Sequence, residues 1–493
     1  MLKSLMTVKI LLVMVLLLAA ILRLIGLTQY PVGFTPDEAS FGYDAYSILL
    51  TGKDQWGNTL PLILKSFGDY KAPIYAYLTV PSVFIFGLNK FAVRLPNAIL
   101  GVLAVYVVYL LVTKLFKNKN IGLITAFLVA ISPWHIMMSR GAFEANLITL
   151  FIPLGIYLYL QEKYYLSAIT FGLTMFTYHT GKFLAPLIFV LLVFLYHKNI
   201  KKLIKPTMVF LFFIALTIFT ILGGAGGRVI ERSITQGALE DGAKVKIENI
   251  NNGMNPIVAR LLHNKYQIVA SRFVYNYRQY FSLKFLLFEG PAETTYGMMK
   301  GLGVLTYLEM LGFLTGLYFL IRSKNIDPKI KYLILLWLLI APVPASLATG
   351  VGYAANRSVS MIPVIQVISG FGLFNLIDKR IYLKYIALII ALVGLTVFIK
   401  KYLIESPITS AQGMLSKNLM IANEYVAKSA GNDTVIVPRT LSEPQIYIAF
   451  VSKMDPRFYQ NESRGWNFEE LGVNWVDQIP EYRLGKYLFK NEE

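Results

Sequence analysis

From Val8 to Tyr402 the chain returns again and again to uninterrupted apolar runs, and a soluble core has no use for so many of them. A helix crosses the hydrocarbon of a bilayer with about 20 such residues. Spans are expected near 8–27, 92–113, 121–138, 144–160, 164–179, 182–196, 206–223, 302–321, 331–348, 356–377 and 383–403, eleven crossings in all. The apolar share of 56% in 493 residues agrees with an all-α polytopic membrane protein.

The net charge of +19 suggests nucleic acid at first sight, but its lysines sit in short loops between apolar runs. Lys3 and Lys9, Lys114/Lys117/Lys119, Lys198/Lys201/Lys202/Lys205, Arg322/Lys324/Lys329/Lys331 and Lys379/Arg380/Lys384 mark the cytoplasmic side by the positive-inside rule. Acidic lipid headgroups, not nucleic acid, are the partner this charge implies. The N-terminus then lies inside and the C-terminus outside. The first run ends in Ala19-Ala20 like a secretion signal, but Arg23 and Leu24 to Leu27 fit a cleavage site poorly, which favours an uncleaved anchor.

Residues 72–88 are apolar enough to span, yet a crossing there would put Lys114 to Lys119 outside. Pro73 and Pro81 interrupt the stretch, and Tyr75, Tyr77, Phe84 and Phe86 suit an interface, so it is read as a juxtamembrane or re-entrant helix on the outer surface. A crossing there paired with a second misread segment would also restore the parity.

Three outward parts exceed simple connectors. The first outer loop covers 28–91. A large outer loop, 224–300, follows the stretch Gly223-Gly224-Ala225-Gly226-Gly227 and contains the basic, aromatic segment Arg272 to Lys284. The tail 404–493 forms a third part beyond the transmembrane region 1–403. Its alternating Asp433 to Pro438 and Gln445 to Val451 are expected as strands of a small extracytoplasmic α/β domain.

No cysteine is present, which excludes disulfides, thiolate catalysis and Cys-based zinc sites; four scattered histidines carry no ligand spacing. The unusual polar residues instead gather at the outward ends of the helices. Asp37 and Glu38 stand in Thr35-Pro36-Asp37-Glu38, Asp69 and Lys71 at the end of that loop, Arg140 and Glu144 in Ser132-Pro-Trp-His-Ile-Met-Met-Ser-Arg-Gly-Ala-Phe-Glu144, Tyr178, His179 and Lys182 in a further turn, and Arg357 after Asn356. Acids mixed with cations suit a lipid-linked phosphate sugar, whose departing phosphate needs neutralising while an attacking hydroxyl loses its proton.

Each group also has a structural reading. Thr35-Pro36-Asp37-Glu38 is a good helix start, with Thr35 as cap, Pro36 at the first position and Glu38 closing a capping box. Arg140 and Glu144, four apart, are spaced for an ion pair on one helix. Lys71 and Arg357 also suit headgroup contacts, and His179 a hydrogen-bonded interface.

The run Phe34-Thr-Pro-Asp-Glu-Ala-Ser-Phe-Gly-Tyr-Asp-Ala-Tyr46, with Gly68-Asp-Tyr-Lys-Ala-Pro-Ile-Tyr-Ala-Tyr-Leu78, Phe91-Ala-Val-Arg-Leu-Pro96, Ser132 to Asn146, Tyr178-His-Thr-Gly-Lys182 and Asn356-Arg-Ser-Val-Ser-Met-Ile-Pro363, resembles the GT-C superfamily of polyprenyl-phosphate-sugar glycosyltransferases. The branch is similar to bacterial relatives of protein O-mannosyltransferases and of the aminoarabinose transferase of lipid A, over roughly residues 1–380. The resemblance implies a GT-C type helical bundle with juxtamembrane helices in the first outer loop. It implies Asp37, with Glu38 beside it, as the catalytic acid pair. By the same likeness Lys71, Arg357 and Lys182 hold the donor phosphate, and Arg140, Glu144, His179 and Tyr178 support them from the second loop and the later turn. The expected reaction is one inverting displacement on a polyprenyl-phosphate sugar by an extracytoplasmic hydroxyl of protein, lipid or glycan. No cofactor is required, and a divalent cation is an open option for the acids. A lipid-linked sugar flippase or transporter, and an O-antigen ligase or polymerase, are the alternatives. A transporter would place ionisable groups along a path in the membrane, where Glu309 is the one acid read well inside a span.

Overall fold

The structure, a computed structural model, describes residues 2–67, 70–197, 199–225, 233–292, 299, 301–349, 354–378, 380–409, 417–429, 431, 433–438, 441, 443–466, 468, 470–473 and 476–490. Gly68, Asp69, Lys198, Gly226, Gly227, Lys300 and Lys379, all used above, lie outside the described residues.

Every expected span is met by a helix. The first part runs through α1 (Leu2–Leu24), α2 (Pro36–Thr51), β1 (Leu64–Lys65), β2 (Tyr70–Lys71), α3 (Ile74–Phe86), α4 (Lys90–Phe116), α5 (Lys119–Ile131), α6 (Pro133–Arg140), α7 (Ile148–Leu160), α8 (Tyr164–Thr174), α9 (His179–Tyr196) and α10 (Ile200–Thr220). Helices Tyr307–Arg322, Pro328–Ile340, Val364–Ile377 and Ile381–Lys400 follow. By length and composition, seven helices among the described residues suffice to cross a membrane, or eight if α5 and α6, bent by 57°, count as one span. The protein is therefore a multi-pass membrane protein, but eleven crossings go beyond what these lengths support. The shortfall lies at 144–160, 164–179 and 302–321, where α7, α8 and Tyr307–Arg322 have 13, 11 and 16 residues. The break between α5 and α6 falls at Pro133, whose missing N–H ends one hydrogen-bond ladder and opens the next.

Residues 72–88 form α3, a 13-residue helix with Pro81 inside it, about 20 Å long at 1.5 Å per residue. It buries Tyr75, Ala76, Thr79, Ser82 and Val83 and leaves Phe84 and Ile85 exposed. Helices Tyr307–Arg322 and Val364–Ile377 approach at small residues: a Cβ on Gly372 would sit 2.1 Å from the Gly312 carbonyl oxygen, and one on Gly316 2.0 Å from that of Ile368. Glu309 does not sit in mid-span. It is the third residue of Tyr307–Arg322 in a capping box with Thr306, and its Oε1 accepts from Gln366 Nε2 at 2.9 Å. The reason is Thr306, whose hydroxyl receives the Glu309 N–H at 3.2 Å and so starts the helix there.

The described part of the large outer loop contains the helices Ala238–Asn251, Pro256–Leu262 and Lys265–Gln279, the last burying none of its residues. Asn255 and Asn264 cap the second and third.

In the tail, Val435–Pro438 is the expected strand, β3, but Gln445 to Val451 is helical, within Pro444–Ser452. Pro444 supplies a helix start, and every residue from Pro444 to Phe450 is buried, so alternation of apolar side chains carried no information about the element there. β3 pairs in parallel with β5 (Tyr487–Lys490), which forms a hairpin with β4 (Glu481–Leu484). Two main cores result. One fills the membrane bundle; the other is shared by the first outer loop and the tail, from Phe34, Phe41, Tyr43 and Leu64 to Tyr447, Phe450, Tyr459 and Trp466.

Candidate active site at the start of helix α2

Thr35 caps α2, and Glu38 answers with its carboxylate on the Thr35 N–H at 2.9 Å, completing a capping box behind Pro36. Adjacent positions on a helix point about 100° apart, and the two acids diverge accordingly. Glu38 is fully buried. Its Oε1 accepts from Arg94 Nε at 2.8 Å and from the Ala142 N–H at 3.0 Å, and Oε2 from Arg94 Nη2 at 3.1 Å. Arg94 spends its other protons on the carbonyls of Leu27, Pro31 and Gly33 at 3.1, 3.0 and 2.8 Å. Glu38 and Arg94 together thus tie α4, the turn after α1 and the turn after α6 to the start of α2, while Asp37 stays half-buried.

Lys71, on β2, is buried. Its Nζ lies 2.9 Å from Asp44 Oδ2, bonds Ser40 Oγ, and stands 4.2 Å over the Phe41 ring. Asp37, Ser40 and Asp44 are spaced i, i+3, i+7, one face of α2. Burial pushes the Asp44 carboxyl up to about 6, with the Lys71 cation pulling the other way and Asp54 adding to the rise. Asp44 also accepts the Gln55 N–H at 3.1 Å.

Glu144 occupies a 3-10 turn, Glu144–Leu147, ahead of α7. Its carboxyl is pushed up to about 8, first by burial and then by the charge of Asp37, while Lys71 draws it down. Glu144 therefore lies within the fields of both Asp37 and Lys71. Asn97 shapes this turn by donating to the carbonyls of Met138 and Gly141 at 2.8 and 2.6 Å.

Arg140 makes no ion pair with Glu144. The chain leaves the helix at Gly141, so the two residues do not share a helical face. Its guanidinium instead closes the end of α1, on the carbonyls of Leu22, Ile25, Gly26 and Tyr30 at 2.8, 2.8, 2.9 and 3.2 Å.

Tyr178, His179 and Lys182 open α9, all half-buried. The Ile74 N–H reaches the Phe176 carbonyl at 3.4 Å, which sets this turn beside the one that follows Lys71. The His179 Nδ1 is buried and meets no hydrogen-bond partner among the described residues. Arg357 donates from Nη1 to the Thr349 carbonyl at 2.7 Å, and its own carbonyl receives the Thr180 hydroxyl at 3.4 Å. The Thr180–Arg357 bond thereby brings the segment of Arg357 to the start of α9, where Lys182 also lies.

Among the described residues no three His, Cys, Asp or Glu side chains form a metal-binding group. A cavity of about 590 Å³ is lined by Gln236, Arg272, Tyr275, Asn276 and Thr349, the residue that Arg357 grips. Sequence reasoning singled out neither Asp44 nor Arg94 as functional; the i, i+7 spacing from Asp37 was the signal for the first.

Residues 70–222 match the family described as dolichyl-phosphate-mannose-protein mannosyltransferase. No curated protein matches the chain by sequence. Among solved structures, the Archaeoglobus fulgidus oligosaccharyltransferase in complex with Zn and sulfate is similar at a TM-score of 0.53 and 18% identity, over 90% of this chain and 61% of that one. The same organism's AglB, with an inhibitory peptide and a dolichol-phosphate, gives 0.53 and 15% over 96% and 64%. ArnT from Cupriavidus metallidurans in the apo state gives 0.54 and 12% over 92% and 85%. The chain thus spans less than two thirds of the archaeal enzyme's length. The fold is of the GT-C type that the motifs resemble.

Proposed function

We propose that this GT-C membrane protein is a glycosyltransferase that moves a sugar from a polyprenyl-phosphate donor to an extracytoplasmic acceptor hydroxyl with inversion. The neighbours supply the precedent: AglB is described with a dolichol-phosphate, and the matching family is named for dolichyl-phosphate-mannose. The observation that carries the reading is the division of labour at α2: Glu38 is consumed by Arg94, while Asp37 stays half-buried, with its charge felt by Glu144.

In this reading Asp37 takes the proton of the acceptor hydroxyl as it attacks the anomeric carbon. Glu144, protonated up to about pH 8, keeps the pair at one negative charge and so leaves that charge on Asp37. Arg357 and Lys182 receive the departing phosphate, and Lys71, neutralised by Asp44, acts mainly by holding the β2 turn against α2. Glu38 and Arg140 are proposed as framework residues. Tyr178 and His179 line the entrance to the phosphate site. Charge placement puts these loops and the tail outside the cell membrane, with 404–493 as a small unit capping the first outer loop. The cavity at Thr349, with its amide, guanidinium and tyrosyl walls, suits the acceptor.

The decisive experiment offers purified protein in nanodiscs radiolabelled polyprenyl-monophosphate sugars and scores free lipid phosphate. Transfer should depend on Asp37, and D37N should lose about 10²- to 10⁴-fold in rate. Half of wild-type turnover in D37N would refute the assignment. Transport of intact donor without hydrolysis would instead favour the flippase.

A further inference from the structure

We propose that Tyr447, from the tail, is a positioning residue for Asp37, acting through the backbone that enters α2. This rests on the glycosyltransferase reading only for its effect on turnover.

The tail grips α2 along its whole length. At its start the Tyr447 hydroxyl donates to the Phe34 carbonyl, 413 residues away in sequence. In the middle Tyr43 Oη donates to the Met454 carbonyl at 3.1 Å, and Gly42 lies so close to Val93 and Phe450 that a Cβ would stand 2.5 and 2.7 Å from their side chains. At its end Gln460 Nε2 donates to Ser47 Oγ at 3.0 Å and to the Asp54 carbonyl at 2.9 Å. Trp56, just beyond, packs edge-on to Tyr459, Trp466 and Phe468 at centroid distances of 6.4, 5.8 and 5.7 Å.

Of these grips, the one at Tyr447 bears on the chemistry. Phe34 directly precedes the Thr35 cap, so the direction of its carbonyl sets the angle at which the chain enters α2 and hence where Asp37 points. Packing holds the Phe34 ring, which is buried against Phe450 at a centroid distance of 4.9 Å, but the direction of its carbonyl is set by a hydrogen bond. Phe34, Tyr447 and Phe450 line a cavity of about 480 Å³, and while Arg94 holds the Gly33 carbonyl and Glu38 the Thr35 N–H, the Phe34 carbonyl between them is held by the Tyr447 hydroxyl. The phenol lies within the fields of both Glu38 and Asp37, and burial and those charges keep it un-ionised, a donor at any physiological pH. A misplacement of about 1 Å costs a catalytic group on the order of 10²-fold in rate.

The test compares wild type, Y447F and W466F in nanodiscs by hydrogen exchange of amides 37–40, thermal unfolding, and donor kinetics. W466F lies in the same tail core and serves as the control for a structural loss. Y447F should speed exchange at 37–40 about tenfold and lower kcat about 10- to 100-fold with KM for donor unchanged. W466F should lower the unfolding temperature without changing kcat. Unchanged exchange in Y447F overturns the proposal, as does an equal loss of kcat in both variants. If wild type transfers no sugar, the exchange result still decides positioning, and the failure belongs to the functional reading alone.

Discussion

Glu38→Gln separates the two neighbouring acids. The substitution keeps size and shape but leaves the Arg94 guanidinium, with side-chain exposure of 0%, without its counter-charge, and it turns an amide NH₂ toward one of the groups that now donate to the carboxylate. Removing one partner from a buried pair costs about 3–5 kcal/mol. Arg94→Met should cost more, because Leu27, Pro31 and Gly33 lose their donor as well, at about 1–3 kcal/mol for each carbonyl left buried and unsatisfied. D37N, at a half-buried surface position, should stay within about 0.5 kcal/mol of wild type. Thermal and denaturant unfolding in a fixed detergent, followed by tryptophan fluorescence, should therefore rank the proteins as wild type and D37N above E38Q above R94M. Turnover should single out D37N among the stable proteins. An E38Q protein as stable as wild type yet as inactive as D37N would show that Glu38 belongs to the chemistry, and the division of labour at α2 would be wrong.

The raised affinity of Glu144 for its proton predicts a loss of kcat/KM centred near pH 8 as Glu144 ionises, absent from E144Q. The sign for stability follows: a carboxyl raised above its ordinary 4.5 stabilises fully below that value and ceases to do so as pH passes 8, so E144Q should flatten unfolding temperature across that window. Because the Asp37–Glu144 pair carries one net negative charge at neutral pH, it should hold a divalent cation poorly, and EDTA should leave transfer unchanged; loss restored by Mg²⁺ or Mn²⁺ would assign a metal to these acids. Gly372→Ala should cost about 1–3 kcal/mol by forcing its helix from the Gly312 backbone, read as a lower unfolding temperature with kcat per folded molecule preserved.

Legibility of the chain from its sequence followed the physics that each segment obeys. Apolar runs marked helices at every expected span, because hydrocarbon admits little else. Their lengths were less legible: Pro133 splits one run, α7 starts only after the 3-10 turn Glu144–Leu147, and α8 ends at Thr174 although Met175 and Phe176 continue the apolar letters. The Thr35 cap and its capping box were readable because they are local. The partners of Glu38 were not, since Arg94 and Ala142 come from 56 and 104 residues further on. The Arg140–Glu144 pairing failed for the same reason: helical spacing was assumed across Gly141, where the helix stops. In the tail a fully buried stretch hid its periodicity, so 445–451 read as a strand.

The core shared by the first outer loop and the tail sets an order of events during synthesis. Closing a contact across 413 residues requires the far segment to exist, so the α2 entrance cannot be locked while the ribosome is still adding the chain beyond Pro438. A polypeptide halted after its last span would still hold the start of α2 through Glu38 and Arg94, but without the second clasp that Tyr447 places on the Phe34 carbonyl.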